Sequence, residues 1–297
     1  MDADTLRCFL SVAELGSFTE AARRHFVTQP AVSLRLKSLE AEVGTRLVER
    51  SGGRARLTPA GRLFEVRAAE ALRQIDRGTA EVGDLLGLKR GRLAVGAIDA
   101  AGIDLLPAPL KLFHERWPLV ELVVRVEPSG PLVEALAAGT LDWAIVTLPL
   151  DRPGFVVETL DEERLVLVSP PPGGTRSPGP AAVLERHPLI AYPRGSVTRG
   201  LIDTALEERG LEPRIAMELS HPEAIRGLVE AGLGAAVLPE RVVARGDKLV
   251  KSPAFTVRRR LGLVRRGTEE PSAAARAFRN VILAGRRRPR KDRILDA

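Results

Sequence analysis

Thr28 to Gly44 reads TQPAVSLRLKSLEAEVG, and it sets groups able to hydrogen-bond a base or neutralise a phosphate along one side of a single helix. At about 100° per residue, Val32, Leu36, Leu39 and Val43 share an apolar face, while Pro30, Ser33, Leu34 and Lys37 fall on the opposite side. Thr28 reads as the N-cap. Pro30 then lies in the first turn, where its missing N–H has no intrahelical partner to lose. The proline marks a start and breaks nothing. Further on, Arg50, Arg54 and Arg56 bring planar cationic forks suited to phosphate contact or to insertion in a minor groove. A polar helix face is either solvated or docked, and the neighbouring elements decide which.

Those elements are short. In DADTLRCFLSVAELG, Leu6, Phe9, Leu10 and Ala13 fall at i, i+3, i+4 and i+7, the stripe of an amphipathic helix. Ser17 followed by Glu20 fits a capping box, so a second helix begins at Ser17 and ends before about Val27. Two short helices joined by a tight turn make a helix-turn-helix, whose second helix enters the major groove by its N-terminal end. After it, RLVER and RARLT flank Ser51-Gly52-Gly53, the pattern of a small hairpin wing carrying the three arginines.

The run FLSVAELGSFTEAARRHFVTQPAVSLRLKSLEAEVGTRLVERSGGRARLTPAG resembles the winged helix-turn-helix of the LysR-type transcriptional regulators. The match proceeds in order through TQPAVS, the following LE and a wing ending in LTPAG. The resemblance implies that Gln29, Pro30, Ser33 and the residue at position 34 meet bases or adjacent phosphates, with Thr28 and Lys37 nearby. Many members carry Arg at position 34. Leu34 stands here instead, and an apolar side chain suits a thymine methyl.

Thr58 and Pro59 repeat the cap-then-proline start and open a helix of roughly 30 residues toward Leu88, about 45 Å at 1.5 Å per residue. Ala68, Leu72, Ile75, Thr79, Val82 and Leu86 alternate spacings of four and three, a seam that either packs on its own domain or pairs with a second helix. The resemblance implies a linker helix joining two subunits in a homodimer or homotetramer, with promoter double-stranded DNA and RNA polymerase as partners.

Beyond residue 90 the period changes. RLAVGAI, VELVVRV and LDWAIVT alternate with helical stretches around Leu105 to Arg116 and Leu132 to Gly139, a βαβαβ run that implies a parallel sheet. RLVLVSP begins a second series, interrupted by the loop SPPPGGTRSPGP and continued by PLIAY, TRGLIDTALEERG, RIAMEL, PEAIRGLVEAG and GAAVLP. The expected fold class is therefore α/β multidomain: a winged helix-turn-helix at 1–58, a linker helix at 59–88, and a regulatory domain at 91–297 ending in a basic tail. By the resemblance that domain is periplasmic-binding-protein-like. One half covers about 91–158 and 266–285 and the other about 161–260, the chain crossing near Val156 to Asp161 and returning near Arg258 to Arg266.

Ligands in such sheets sit beyond strand carboxyl ends, where helix N-termini offer unpaired N–H groups. On that basis the effector candidates are a loop at Asp99-Ala100-Ala101, Ser129, Thr147, Ser196, Thr198 and His221. Ser129, Ser196, Thr198 and His221 have a second reading as helix-start residues. Many relatives place Ser or Thr where Ala100 and Ala101 stand. Either the pocket suits a carboxylate less well, or Asp99 favours a small metabolite with a cationic amine.

Composition narrows the rest. At 44% hydrophobic and 28% charged residues, the 297-residue chain has a soluble protein's average and length enough for two or three domains. The net charge of +7 is mostly tail, because Arg286 to Arg293 holds six basic residues and one acid; such a block is expected to be a solvated end. No apolar run is long enough for a membrane span, and Asp2 and Asp4 stand where a secretory signal carries positive charge, so a cytoplasmic protein is expected. The single cysteine, Cys8, has apolar neighbours that make it a buried thiol. No phosphate-loop, nucleophile-elbow or zinc-protease motif occurs. His25, His114, His187 and His221 are scattered, and GLGAAV lacks the third glycine of a dinucleotide fingerprint. No cofactor or metal is implied. The main expectation is a ligand-responsive, non-enzymatic regulator. The alternatives are a DNA-binding protein whose α/β domain serves only oligomerisation, and an enzyme with an accessory DNA domain.

Overall fold

The computed structural model describes residues 1–51, 54–85, 91–171, 179–244, 249–267 and 271–285. The chain divides into two compact units, Met1–Gly87 and Leu88–Ala297.

In the first unit, α1 (Ala3–Leu15) starts where the Asp2 carboxylate accepts the Thr5 N–H at 2.7 Å. α2 (Phe18–Arg24) starts at Ser17, whose Oγ accepts the Glu20 N–H at 3.3 Å. α3 (Gln29–Val43) follows Thr28, which has the extended backbone of an N-cap but makes no side-chain capping bond. Thr28 thus marks the start by backbone alone, with Pro30 supplying the fixed φ. Leu6, Phe9, Val12, Val32, Leu36 and Leu39 are buried together, with Cys8 fully enclosed among them. The wing pairs β1 (Val48–Ser51) with β2 (Arg54–Leu57), Glu49 opposite Arg56 and Ser51 opposite Arg54. Glu40 ties it to α3, accepting the Leu47 and Val48 N–H groups at 2.8 and 3.0 Å.

α4 (Pro59–Leu85) is capped by Thr58, whose Oγ1 accepts the Gly61 N–H at 2.9 Å. Gly61 explains the end of the LTPAG segment: a Cβ there would sit 2.0 Å from the Leu47 carbonyl oxygen. At 27 residues the helix is about 40 Å long. At its start the seam follows the first of its two alternatives and packs on its own domain. Ala68 and Leu72 are buried in the head's own core, and Phe9 meets Phe64 edge to face at 5.5 Å, because α1 needs an apolar cover. Ile75 is half exposed, while the side chains of Thr79, Val82 and Leu86 lie outside the described residues.

The second unit opens with β3 (Gly91–Ala97), α5 (Asp99–Asp104), α6 (Pro107–Arg116), β4 (Val120–Val126), α7 (Ser129–Ala137) and β5 (Trp143–Thr147). β4 and β5 both pair parallel with β3, the expected βαβαβ arrangement. The Asp142 carboxylate accepts the Ala94 N–H at 2.8 Å, and Trp143 Nε1 donates to the Ala275 carbonyl at 2.8 Å, which locks the end of LAAGTLDWAIVT into the sheet. The expected Asp99-Ala100-Ala101 loop is instead the first turn of α5. Ala101 belongs to the core and Ala100 is buried beside it.

β6 (Phe155–Ser169) then leads to α8 (Pro180–Arg186), β7 (Leu189–Ala191), α9 (Val197–Glu207), β8 (Ile215–Glu218), α10 (Pro222–Glu230), β9 (Ala236–Pro239), α11 (Glu240–Val243), β10 (Val250–Arg266) and α12 (Ala273–Ala284). Hydrogen bonding joins six strands in the order β4-β3-β5-β10-β6-β9, with β7 and β8 a separate parallel pair. The two halves therefore share a sheet, because β6 and β10 run antiparallel through both. Leu93, Trp143, Leu261, Leu263 and Phe278 pack in one core and Leu165, Ile190, Ile225, Leu238 and Phe255 in the other. The returning strand passes from the second core at Val257 to the first at Leu261, within the stretch 258–266 expected for the return. GLGAAV is a turn entering β9: Gly232 has φ 83°, and a Cβ on Gly234 would lie 2.5 Å from the Pro188 carbonyl oxygen. The Pro/Gly-rich loop, except its ends, and the basic tail at 286–297 lie outside the described residues.

Candidate functional site

On the head, the polar side of α3 stands free of its core. Thr28, Pro30, Leu34 and Lys37 are exposed, Leu34 at 70%. Gln29 Nε2 donates to Ser33 Oγ at 2.8 Å, so two of the expected base-reading groups brace each other one helical turn apart. Phe18, Ser33, Lys37, Arg46 and Glu49 line an open groove between the helices and the wing. Arg54 and Arg56 are exposed on β2, Arg56 with a carboxylate as cross-strand neighbour; the Arg50 side chain is outside the described residues. Sequence reasoning passes over Phe26. It is 97% exposed at φ 54° in the turn between α2 and α3, a conformation no periodicity signals. Just before it, His25 Nε2 meets Ser11 Oγ at 2.7 Å.

In the second unit, four of the effector candidates meet in pairs across the two halves. His221 Nδ1 lies 2.5 Å from Asp99 Oδ2, although 122 residues separate them. Thr147 Oγ1, at the end of β5, lies 3.4 Å from Thr198 Oγ1 in the first turn of α9. Thr198 Oγ1 also accepts from Arg259 Nη1 at 3.0 Å. Arg259 in turn places Nε and Nη2 on Glu163 Oε1 at 3.0 and 2.6 Å, and both side chains are almost wholly buried. The paired crossing strands thus carry a buried ion pair at the junction of the two halves, here called the cleft.

The remaining candidates are placed differently. Ser129 Oγ accepts the Thr147 N–H at 3.1 Å, which fastens β5 to α7; Ser129 lies inside that helix, after its N-cap, so the capping alternative fails. Ser196 does cap its helix, accepting the Arg199 N–H at 3.2 Å. His221 is the N-cap of α10 by backbone, yet its side chain makes no capping bond and turns to Asp99. Arg259, Glu163 and Tyr192 escape sequence reasoning, because an arginine in RRR and a glutamate in DEER read as surface charge. Burial pushes the Tyr192 phenol well above its ordinary range; Arg259 pulls it down, and Glu163 and Asp99 add to the rise. Among the described residues, no group of three or more His, Cys, Asp or Glu is arranged to hold a metal ion, and no helix is long and apolar enough to cross a membrane.

Residues 3–62 match the model of the bacterial regulatory helix-turn-helix protein, lysR family, and residues 86–287 match that of the LysR substrate binding domain. A probable RuBisCO transcriptional regulator of Cyanidioschyzon merolae is 30% identical over 93% of this chain and 95% of its own. A regulator of the same description from Trichormus variabilis is 31% identical, over 94% of this chain and 87% of its own length. Among solved structures, full-length CbnR complexed with its target DNA is 26% identical with a TM-score of 0.68, covering 95% of this chain and 99% of that one. A full-length OxyR variant from Pseudomonas aeruginosa also reaches 0.68, at 25% identity over 95% of this chain and 94% of that one.

Proposed function

The chain belongs to the LysR family of DNA-binding transcriptional regulators with an effector-binding domain, and from that premise we propose how its own residues divide the work. Gln29, Ser33 and Leu34 read base edges in a major groove, with Leu34 against a thymine methyl. Thr28, Lys37, Arg50, Arg54 and Arg56 hold phosphates and set register. Two or four copies assemble, pairing their heads on a partly palindromic promoter site in the cytoplasm and acting there with RNA polymerase.

The second unit senses a small molecule and turns nothing over. The observation that carries this reading is the meeting of Asp99 with His221 and of Thr147 with Thr198, one partner of each pair from either half. A molecule entering there replaces contacts that hold the halves together. Only an effector with different affinities for the two arrangements shifts the balance between them. The test is mobility shift and footprinting of the full chain on its own upstream DNA, with and without a metabolite panel. A footprint that changes with one metabolite, and no longer does in Thr198→Val, supports the reading.

A second reading keeps the α/β unit for oligomerisation alone. It is favoured by Asp99, which His221 already satisfies. Footprints unmoved by every metabolite would establish it.

A further inference from the structure

Among the described residues of the stretch 2–62, two large hydrophobic side chains are exposed, Leu34 at 70% and Phe26 at 97%. Phe26 also holds φ at 54°, the one positive φ outside glycine among the described residues. The turn demands that backbone. The Phe26 N–H donates to the Arg23 carbonyl at 3.2 Å and the Val27 N–H to the Ala22 carbonyl at 3.0 Å, a Schellman closure of α2 with Val27 packed on the head's core. It does not demand a phenyl ring. α1 and α3 end in the same left-handed conformation with glycine, Gly16 at φ 61° and Gly44 at φ 79°. Glycine or asparagine would close α2 without the strain a bulky side chain meets at positive φ, and without presenting a bare ring to water. A lone exposed apolar residue is ordinary; one held rigid in a strained turn points to a use outside the fold.

The ring's position says what covers it. Phe26 lies two residues before Thr28, so its Cα is at most about 7 Å from that of the α3 N-cap, and Phe26, Thr28 and Pro30 are exposed in alternation. That end of a recognition helix is the one that enters a major groove. The groups DNA offers there sort themselves by chemistry. Phosphates draw cations such as Arg54 and Lys37 rather than a phenyl ring, and apolar wedges that part a base step enter from the minor groove. What a major groove presents to an apolar side chain is the thymine C5-methyl.

We infer that Phe26 is a second apolar reader on the head, laying its ring on a thymine methyl at the edge of the site that α3 reads. The inference rests on the major-groove reading of α3 above. It gives the head two methyl contacts, Leu34's and Phe26's, beside the polar edges met by Gln29 and Ser33. Because the Schellman closure already fixes the Phe26 backbone, little ordering is left for binding to supply.

The test measures fluorescence anisotropy of the full-length chain on the duplex it footprints upstream of its own gene, and on duplexes in which deoxyuridine replaces one thymidine at a time. Removing the methyl that Phe26 covers is expected to weaken binding about fourfold, the worth of one buried methyl. Phe26→Asn is expected to bind the unmodified duplex at least about fourfold more weakly, to be indifferent to deoxyuridine at that one position, and to keep the salt slope of the unchanged chain, since no charge is removed. Its melting temperature without DNA is expected to hold or rise. Phe26→Gly, which suits the same φ, is expected to behave alike, and Leu34→Ala to keep the sensitivity at the Phe26 position. Unaltered affinity and an unaltered deoxyuridine pattern in both Phe26 variants would overturn the inference and leave α3 as the reader. Equal losses on specific and random DNA, with no position of lost sensitivity, would overturn it in favour of a backbone contact. A smaller assembly for Phe26→Asn in sedimentation without DNA would overturn it in favour of a contact between copies of the chain. If the unchanged chain leaves no footprint there, this inference and the major-groove reading fall together.

Discussion

The head and the cleft use polar side chains under opposite conditions. On α3 the groups proposed to meet DNA are exposed or half-buried, and Gln29 and Ser33 brace each other four residues apart. Water satisfies such groups when DNA is absent, so they can serve recognition while contributing little to the fold. In the cleft, Arg259 and Glu163 are 96 residues apart and shut from solvent. There the polar groups belong to the fold itself, and any ligand must compete with contacts already made. The head is a surface that can be edited; the cleft is a network that moves or breaks as one.

The sharpest way to break that contrast is to remove one member of the buried pair. Arg259→Ala leaves Glu163 buried and unpaired and is expected to destabilise the second unit by about 3 to 5 kcal/mol, measured by urea unfolding. A loss below about 1 kcal/mol would mean the pair is solvated. Gly61→Ala probes the head's own rigid part, where the methyl would press on the Leu47 carbonyl oxygen. It is expected to cost about 2 kcal/mol and to loosen the wing, seen as faster amide exchange at Leu47 and Val48. By contrast, Gln29→Ala and Ser33→Ala should each change stability by less than about 0.5 kcal/mol while relaxing sequence preference by about 1 to 3 kcal/mol. Equal losses on specific and random DNA would contradict that. Arg54→Ala is expected to weaken all DNA alike and to lower the salt slope by about one.

The smallest effect concerns pH. Burial raises the Asp142 carboxyl above its ordinary 3.8, while the Ala94 N–H and Arg92 pull it down. A group raised in the folded state favours folding fully below its unfolded value and loses that contribution as pH climbs through the folded one. Asp142→Asn keeps an acceptor for Ala94 and does not titrate. Between about pH 4 and neutrality its melting temperature is expected to gain on that of the unchanged chain, and parallel profiles would show the carboxylate to be fully hydrated.

The same contrast decides what can be read from the sequence. Pro30, Ser33 and Leu34 declare their face because a helix turns about 100° per residue, and Glu40 and the LTPAG segment fix the wing close in sequence to α3. The parallel βαβαβ run shows itself by strand and helix periods. The cleft does not. That His221 turns to Asp99 rather than caps α10, or that Arg259 leaves the RRR surface pattern for a buried carboxylate, depends on how β6 and β10 cross. No local spacing encodes that. α5 reads as a loop because it is a single short helix whose N-cap is Ile98, with none of the Ser, Thr, Asp or Asn that marks a start. Ala68 and Leu72 keep a coiled-coil spacing while serving the head's own core, since one heptad stripe suits either partner.

The most direct test joins the two regions: footprinting of the full-length chain on its upstream DNA, with and without an effector, in the unchanged protein and in Thr198→Val. The expected result is DNA occupancy in both and an effector-dependent change of footprint only in the unchanged protein. The same change in Thr198→Val, or none in either, would contradict a cleft that governs the reading heads.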